Sequence, residues 1–400
     1  MRFLEKIFVV ALLFCLCVAM KPLQHVAPHD MGMDEVRLSA VDVPIRKAIT
    51  EHLIPGAVLA VVRGDKLAYF KAYGNKQVFP DTVPMTPDAV FDLASVSKAI
   101  STTTCVMQLV ERGKITLDDH VDKYLPNFKN YSAPSLNTKP IRVVDLLTHT
   151  SGLPPYVGIV TLRDQYGIAD KKALADYICT CPRQFEPRTK FAYSCLNFIT
   201  LQLIIEKVSG KSLRCFAHEN IFLPLGMTHT DYCPSDTLKL YCVPTEMQSD
   251  STVFCGVVHD PLARIPNNGV SGNAGLFSSA ADLAVFSVML LNGGEYGGKR
   301  ILQAATVQQM CSIPVCGKDF GRALGWDVSS AYASAKGDFG KQAIVHTGYT
   351  GTSVVIDFET KTAVILLTNR VHPKDKGSIV KLRKAVAECV HHSILQKSLK

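Results

Sequence analysis

Phe91-Asp92-Leu93-Ala94-Ser95-Val96-Ser97-Lys98 is the stretch on which the fold turns. It carries an S-x-x-K element, Ser95 to Lys98, at the start of a helix predicted over Ser97–Arg112. Ile100, Thr103, Met107 and Val110 recur there at helical spacing, and Gly113 stops the run. Residues i and i+3 share a helix face, so the Lys98 ammonium can reach the Ser95 hydroxyl. A serine hydroxyl is a weak nucleophile until a nearby base or cation changes its proton affinity. A helix N-terminus adds backbone N–H groups that favour developing negative charge. The tetrapeptide alone also fits a capping serine followed by a surface lysine. Ser378-Ile379-Val380-Lys381 has the same spacing and reads as a solvated helix face.

Context separates the two. The segment Phe91–Lys98 resembles the nucleophile segment of the serine β-lactamases and penicillin-binding proteins, especially the class C type and its esterase relatives. Further segments resemble that superfamily in the same chain order. Leu146–Leu153 reads LLTHTSGL, and Tyr193-Ser194-Cys195-Leu196-Asn197-Phe198 is similar to its second motif. His346-Thr347-Gly348 is similar to the third motif, K/H-T/S-G. His259-Asp260-Pro261 with Gly272–Ser278 resembles a segment of penicillin-binding protein 4B-like carboxypeptidases. The resemblance spans roughly residues 45–395.

It implies roles. Ser95 would attack a carbonyl and form an acyl-enzyme. Lys98 would hold positive charge beside it, and Tyr193 would be the general base. A phenol of ordinary pKa, about 10, is a poor base at neutral pH, so nearby cations are expected to lower it. The oxyanion hole would use the backbone N–H groups of Ser95 and Tyr349. Gly348 would let the strand come close to substrate. His346 would join the catalytic group from the third motif, and Cys195, Thr347, Gly348 and Tyr349 would line the substrate's side of the cleft.

Three positions depart from the pattern. Cys195 stands where relatives carry Asn, Asp or Ser, and a thiol is a weak donor to a substrate amide; a buried apolar cysteine is the other reading. His346 replaces a lysine that would be a permanent cation, whereas a histidine of ordinary pKa, about 6.5, is mostly neutral at pH 7. Carboxylate recognition would then be weaker, or would fall to an arginine or lysine elsewhere. Asn273 stands where the subgroup has His and receives no role. His149 and His259-Asp260 read as packed structural groups. There is no H-E-x-x-H and no C-x-x-C, so neither metal nor other cofactor is expected.

The fold expected is α+β. Ala57–Tyr73 reads as a hairpin around Arg63-Gly64-Asp65, and Thr352–Phe358 with Thr362–Thr368 as another around Glu359–Lys361. Helical patterns such as Phe198–Val208 and Ala280–Leu291 lie between, among many Pro and Gly punctuators. The economical solution is one antiparallel sheet flanked by helices, joined from both ends of the chain, plus a helical lobe with the cleft between. The expected limits are an α/β lobe over 45–117 and 320–395 and a helical lobe over 118–319.

Length and composition agree with an ordinary globular chain: 400 residues, 47% hydrophobic and 20% charged, which excludes disorder and fibrous architectures. The net charge is +8, and seven basic residues from Lys374 onward oppose only Asp375 and Glu388. This basic tail, a helix expected over about Gly377–Lys397, has no interleaved aromatics for base stacking, so nucleic acid is not expected. It reads as a solvated face away from the motifs, suited to peripheral contact with an anionic envelope. Arg2 and Lys6 precede an apolar run, Ile7–Met20. The run is shorter than the about 20 residues a bilayer span needs, and fits a secretory signal over 1–20. Cys15 and Cys17 lie in it, and eleven of the thirteen cysteines follow, an odd number.

The expectation is an exported, periplasmic or envelope-associated serine hydrolase. The first reading is a penicillin-binding D-alanyl-D-alanine carboxypeptidase acting on peptidoglycan peptides, with β-lactams as alternative acyl donors. His346 motivates a second, a carboxylesterase. Cys195 motivates a third, a penicillin- or peptidoglycan-binding module with stalled turnover.

Overall fold

The computed structural model describes residues 23–132 and 138–395. The expected signal over 1–20, with Cys15 and Cys17, lies outside the described residues. So does the end of the basic tail.

A six-stranded antiparallel sheet gathers both ends of the chain. Its strands are β1 (Gly56–Arg63), β2 (Lys66–Gln77), β3 (Val83–Pro84), β4 (Ile344–Thr347), β5 (Ser353–Asp357) and β6 (Thr362–Thr368). Their order is β4-β5-β6-β1-β2-β3. β1 and β6 join the two ends, with Ala57 opposite Thr368 and Arg63 opposite Thr362. Both expected hairpins are present. β1 is apolar almost throughout because both faces are covered. Val58, Ala60 and Val62 point into the main core, while Ala57, Leu59 and Val61 point into a second one. That second core is closed by the helices Glu35–Ser39, Asp42–Thr50 and Val380–Ser393, whose Leu38, Ile45, Leu382, Val386 and Val390 meet the sheet.

Three boundaries differ from expectation. The packed domain begins before residue 45, because Met33, Leu38 and Val41 are already fully buried. The helix Ala280–Leu291, expected in the helical lobe, packs on β1 and β6. Its residues are apolar all round, so it suits a place between the sheet and the rest of the main core better than a solvated lobe. The basic helix spans Val380–Ser393, and it is not a wholly solvated face: Arg383 is buried. Among the described residues no helix is long and apolar enough to cross a membrane.

A small sheet places the nucleophile segment. Val90–Asp92 pairs with Leu276–Ser279, which pairs with Asp231–Tyr232. The helix expected from Ser97 starts differently: Lys98–Thr103 is π-wound, and the α-helix proper is Thr104–Glu111. The Thr103 hydroxyl donates to the Lys98 carbonyl, and Gly325 packs so closely on Thr103 that a Cβ there would lie 1.9 Å from its Oγ1. Such wide turns concentrate at functional sites.

Candidate active site

The turn before the π segment sets the nucleophile. Ala94 holds φ +46°, a left-handed conformation that costs a non-glycine residue energy. Buried Asp92 supports it by accepting from the Ala94 N–H at 2.8 Å and the His259 N–H at 2.8 Å. The Lys98 N–H donates to the Ser95 carbonyl, three residues back. A three-residue turn eclipses its ends, which puts the lysine over the serine.

Lys98 is fully buried. Its Nζ donates to Ser95 Oγ at 3.1 Å and to the Asn273 carbonyl at 2.9 Å, and lies 3.8 Å from Cys195 Sγ. It also sits 4.9 Å from the centre of the Tyr193 ring. Burial works against the ammonium, and the negative charge that Cys195 and Tyr193 carry when ionised works for it, so its pKa stands above the ordinary value. Burial likewise raises Tyr193, and Lys98 only partly offsets that. Cys195 is raised for the same reason. The resting site therefore holds an ammonium, a phenol and a thiol. The expectation that neighbouring cations bring Tyr193 below its ordinary pKa is overturned, because burial outweighs one cation.

The LLTHTSGL segment is the frame behind Tyr193. His149 Nδ1 accepts from the Ser194 N–H at 3.1 Å and lies 3.2 Å from Asn197 Nδ2, and its ring packs on Tyr193 with centroids 4.4 Å apart. The Ser151 hydroxyl donates to Asn197 Oδ1 at 2.6 Å. Burial, with Arg322 and Lys98 pushing the same way, keeps His149 neutral, so it is a packed structural histidine. Asn197 is consumed by this frame, which leaves Cys195 as the second-motif side chain beside Lys98.

The third motif forms the opposite wall. A cavity of about 410 Å³ is lined by Ser95, Tyr193, His346, Thr347, Gly348 and Tyr349, with Asp327, Tyr332, Arg370, Asp375 and Arg383 among the rest. Thr350 and Thr352 hydroxyls donate to the carbonyls of Asp92 (2.7 Å) and Leu93 (2.9 Å), which bolts this wall to the nucleophile segment. Gly348 sits between them: a Cβ would lie 2.4 Å from the Leu93 carbonyl oxygen and 2.2 Å from Thr352 Oγ1. His346 is 2% exposed. Its Nδ1 lies 3.1 Å from the Thr347 carbonyl and so carries the proton, leaving Nε2 as a buried acceptor without a partner among the described residues. Burial pushes its pKa down to about 3; Asp327 opposes that and Arg322 adds to it. His346 is neutral at physiological pH.

The cation that His346 does not supply stands nearby. Arg370 pairs with Asp375, whose carboxyl is held below the usual range, against burial, by hydrogen bonds from Tyr349, Gly377 and Arg370. Arg383 makes no ion pair among the described residues; its Nη2 donates to the carbonyls of Gly348 (2.6 Å) and Thr352 (3.1 Å). Burial and Arg370 bring its pKa down to about 10, still well above neutrality. Of the expected residues, Ser95, Tyr193, His346, Thr347, Gly348 and Tyr349 thus meet in one cleft, while Lys98 lies buried beside Ser95 and Cys195 lies beside Lys98, neither of them part of its lining. Sequence reasoning missed Asp92, Arg370, Arg383 and the Asn273 carbonyl. Among the described residues no cluster could hold a metal ion, and all eleven cysteines are free.

Comparison with known proteins gives a consistent picture. A family profile described as Beta-lactamase matches residues 41–388. A protein of Escherichia coli K12 named "Putative D-alanyl-D-alanine carboxypeptidase" is 30% identical over 375 residues, covering 86% of this chain and 85% of its own. Among solved structures, EstCE1, "a hydrolase with promiscuous acyltransferase activity", superposes with a TM-score of 0.73 at 22% identity, over 89% of this chain and 99% of its own. The octameric penicillin-binding protein homologue of Pyrococcus abyssi superposes with a TM-score of 0.67 at 21% identity, over 90% and 79%.

Proposed function

The chain belongs to the beta-lactamase family, as a serine hydrolase of that fold, and from this premise we propose that it is a D-alanyl-D-alanine carboxypeptidase working through an acyl-enzyme on Ser95. The observation that carries the reading is Lys98 Nζ, buried and cationic, 3.1 Å from Ser95 Oγ. The relative named a carboxypeptidase supports the substrate class. So does the charge of the cleft. Arg370 is neutralised by Asp375 and Asp327 by the buried Arg322, while Arg383 makes no ion pair among the described residues, so a substrate carboxylate meets net positive potential. The basic start and apolar run of the N-terminus support export to the periplasm, where peptidoglycan peptides lie.

Ser95 Oγ attacks the carbonyl carbon between the two D-alanines. Once the Lys98–Tyr193 pair has lost one proton to solvent, it takes the serine proton, the C–N bond breaks, and D-alanine leaves as an amine carrying that proton from the pair. Water then adds to the ester and releases Ser95. The N–H groups of Ser95 and Tyr349, which donate to nothing else among the described residues, receive the oxyanion in both halves. Incubation with a muramyl pentapeptide tests the reading: D-alanine is released by the wild type and not by Ser95→Ala. No release by the wild type contradicts it.

A second reading, carboxylesterase, is favoured by one observation, the burial of His346 at the third-motif position, which pushes its pKa down to about 3. Rapid turnover of short-chain nitrophenyl esters with no penicillin adduct and no D-alanine release selects it.

A further inference from the structure

The peptide unit between Gly348 and Tyr349 has two faces with different partners. Its N–H, that of Tyr349, donates to no other group among the described residues. Its carbonyl accepts from Arg383 Nη2 at 2.6 Å and from the Gly351 N–H at 3.2 Å. We propose that Arg383 is a positioning residue, which by gripping the Gly348 carbonyl holds the Tyr349 N–H toward Ser95 as the second oxyanion donor. The inference rests on the acyl-enzyme reading above.

A trans peptide is planar, and its C=O and N–H point in opposite directions. Fixing the oxygen therefore fixes the N–H. A unit that begins at glycine has little resistance to rotation of its own, since no Cβ restricts φ and ψ there. Gly348 cannot be exchanged for a stiffer residue, because a Cβ would collide with the Leu93 carbonyl and Thr352 Oγ1. The restraint has to come from outside, and a charged donor gives roughly twice the strength of a neutral one. The same nitrogen also donates to the Thr352 carbonyl at 3.1 Å, which itself accepts from the Gly348 N–H at 2.8 Å. Arg370 Nε holds the next carbonyl, that of Tyr349, at 2.7 Å. Both ends of the loop are thus tied from behind. A cation on the oxygen also polarises the peptide and makes its N–H a better donor.

The placement of Arg383 is costly for stability alone. It is 8% exposed and, among the described residues, has no carboxylate partner and leaves its Nε without a hydrogen bond. A local rule broken in this way, beside a reacting centre, points to a task there.

The test uses the full chain and a neutral ester, p-nitrophenyl acetate, which has no carboxylate for an arginine to hold. Arg383→Met removes the donor, and Arg383→Lys keeps a cation. Arg383→Met is expected to lower kcat about tenfold to hundredfold, less than the roughly hundredfold to thousandfold cost of losing an oxyanion donor outright, with KM changed less than twofold. A boronic acid that adds to Ser95 places an oxygen in the hole, so its affinity is expected to fall by the same factor as kcat. Arg383→Lys is expected to recover part of both; if Arg383→Met does not fold, the proportional loss of kcat and boronate affinity in Arg383→Lys decides. Unchanged kcat, or a loss confined to KM or to carboxylate substrates, overturns the inference while leaving the hydrolase intact. A wild type that neither turns over the ester nor forms an adduct on Ser95 overturns the acyl-enzyme reading and this inference with it.

Discussion

Lys98 holds its proton against complete burial, and Tyr193 holds its own for want of a second cation. One proton must therefore leave the pair before Ser95 can be deprotonated. The expected outcome is a kcat/KM that climbs with pH at about tenfold per unit from pH 6 to 9; a plateau at pH 7 contradicts it. His346 gives a second prediction. Its folded pKa of about 3 lies below the ordinary 6.5. Above pH 6.5 both states are neutral and the contribution of the neutral ring is fully present. As pH falls through 6.5 the unfolded chain takes a proton that the folded one refuses, and stability is lost down to about pH 3. Relative to His346→Gln, the wild type should lose about 1.4 kcal/mol per unit between pH 6 and 4, read by urea unfolding. For the same reason KM for a peptide substrate should stay flat from pH 5.5 to 8 as far as His346 is concerned. The residue types at the site were legible because each motif carries its own spacing. Their protonation states were not, because burial is a property of the fold, and it outweighs the single cation that the motif supplies.

The wall Gly348–Thr352 is the element on which the cleft closes. Gly348→Ala should slow acylation of Ser95 by at least about a hundredfold, since its Cβ meets a backbone oxygen at 2.4 Å and must push the oxyanion peptide away. Stopped-flow acylation with a chromogenic β-lactam or nitrophenyl ester checks this, and an unchanged rate contradicts it. Both hairpins were legible because β-branched or aromatic runs flank short turns, Gly64-Asp65 in one and Glu359–Lys361 in the other. The π-wound start at Lys98 was not. It ends at the close fit of Thr103 against Gly325, a contact between segments over two hundred residues apart that local periodicity does not show. The tie from Arg383 to Gly348 was hidden in the same way: periodicity marks the helix face, but not which loop the face meets.

Across the whole molecule, two cores share one sheet. The terminal helices cover one face, while Ala280–Leu291 packs on the other as part of the main core. The C-terminal helix serves both stability and the site. A chain ending at Asn369 should lose its cooperative thermal transition, because Leu382, Val386 and Val390 no longer cover Leu59 and Val61; a retained transition contradicts this. Joining of the chain ends was legible from the order of the motifs, since Ser95 and His346 had to meet. The lobe boundaries were not, since the apolar helix Ala280–Leu291 carries no mark of which surface it covers. The central claim is that Ser95 is the acylated nucleophile of a penicillin-recognising cleft. Intact-mass spectrometry after incubation with benzylpenicillin tests it most directly. The account predicts one adduct with the mass of the whole penicillin, mapped to the peptide bearing Ser95 and absent from Ser95→Ala. No adduct on the wild type, or the same adduct on Ser95→Ala, would contradict it.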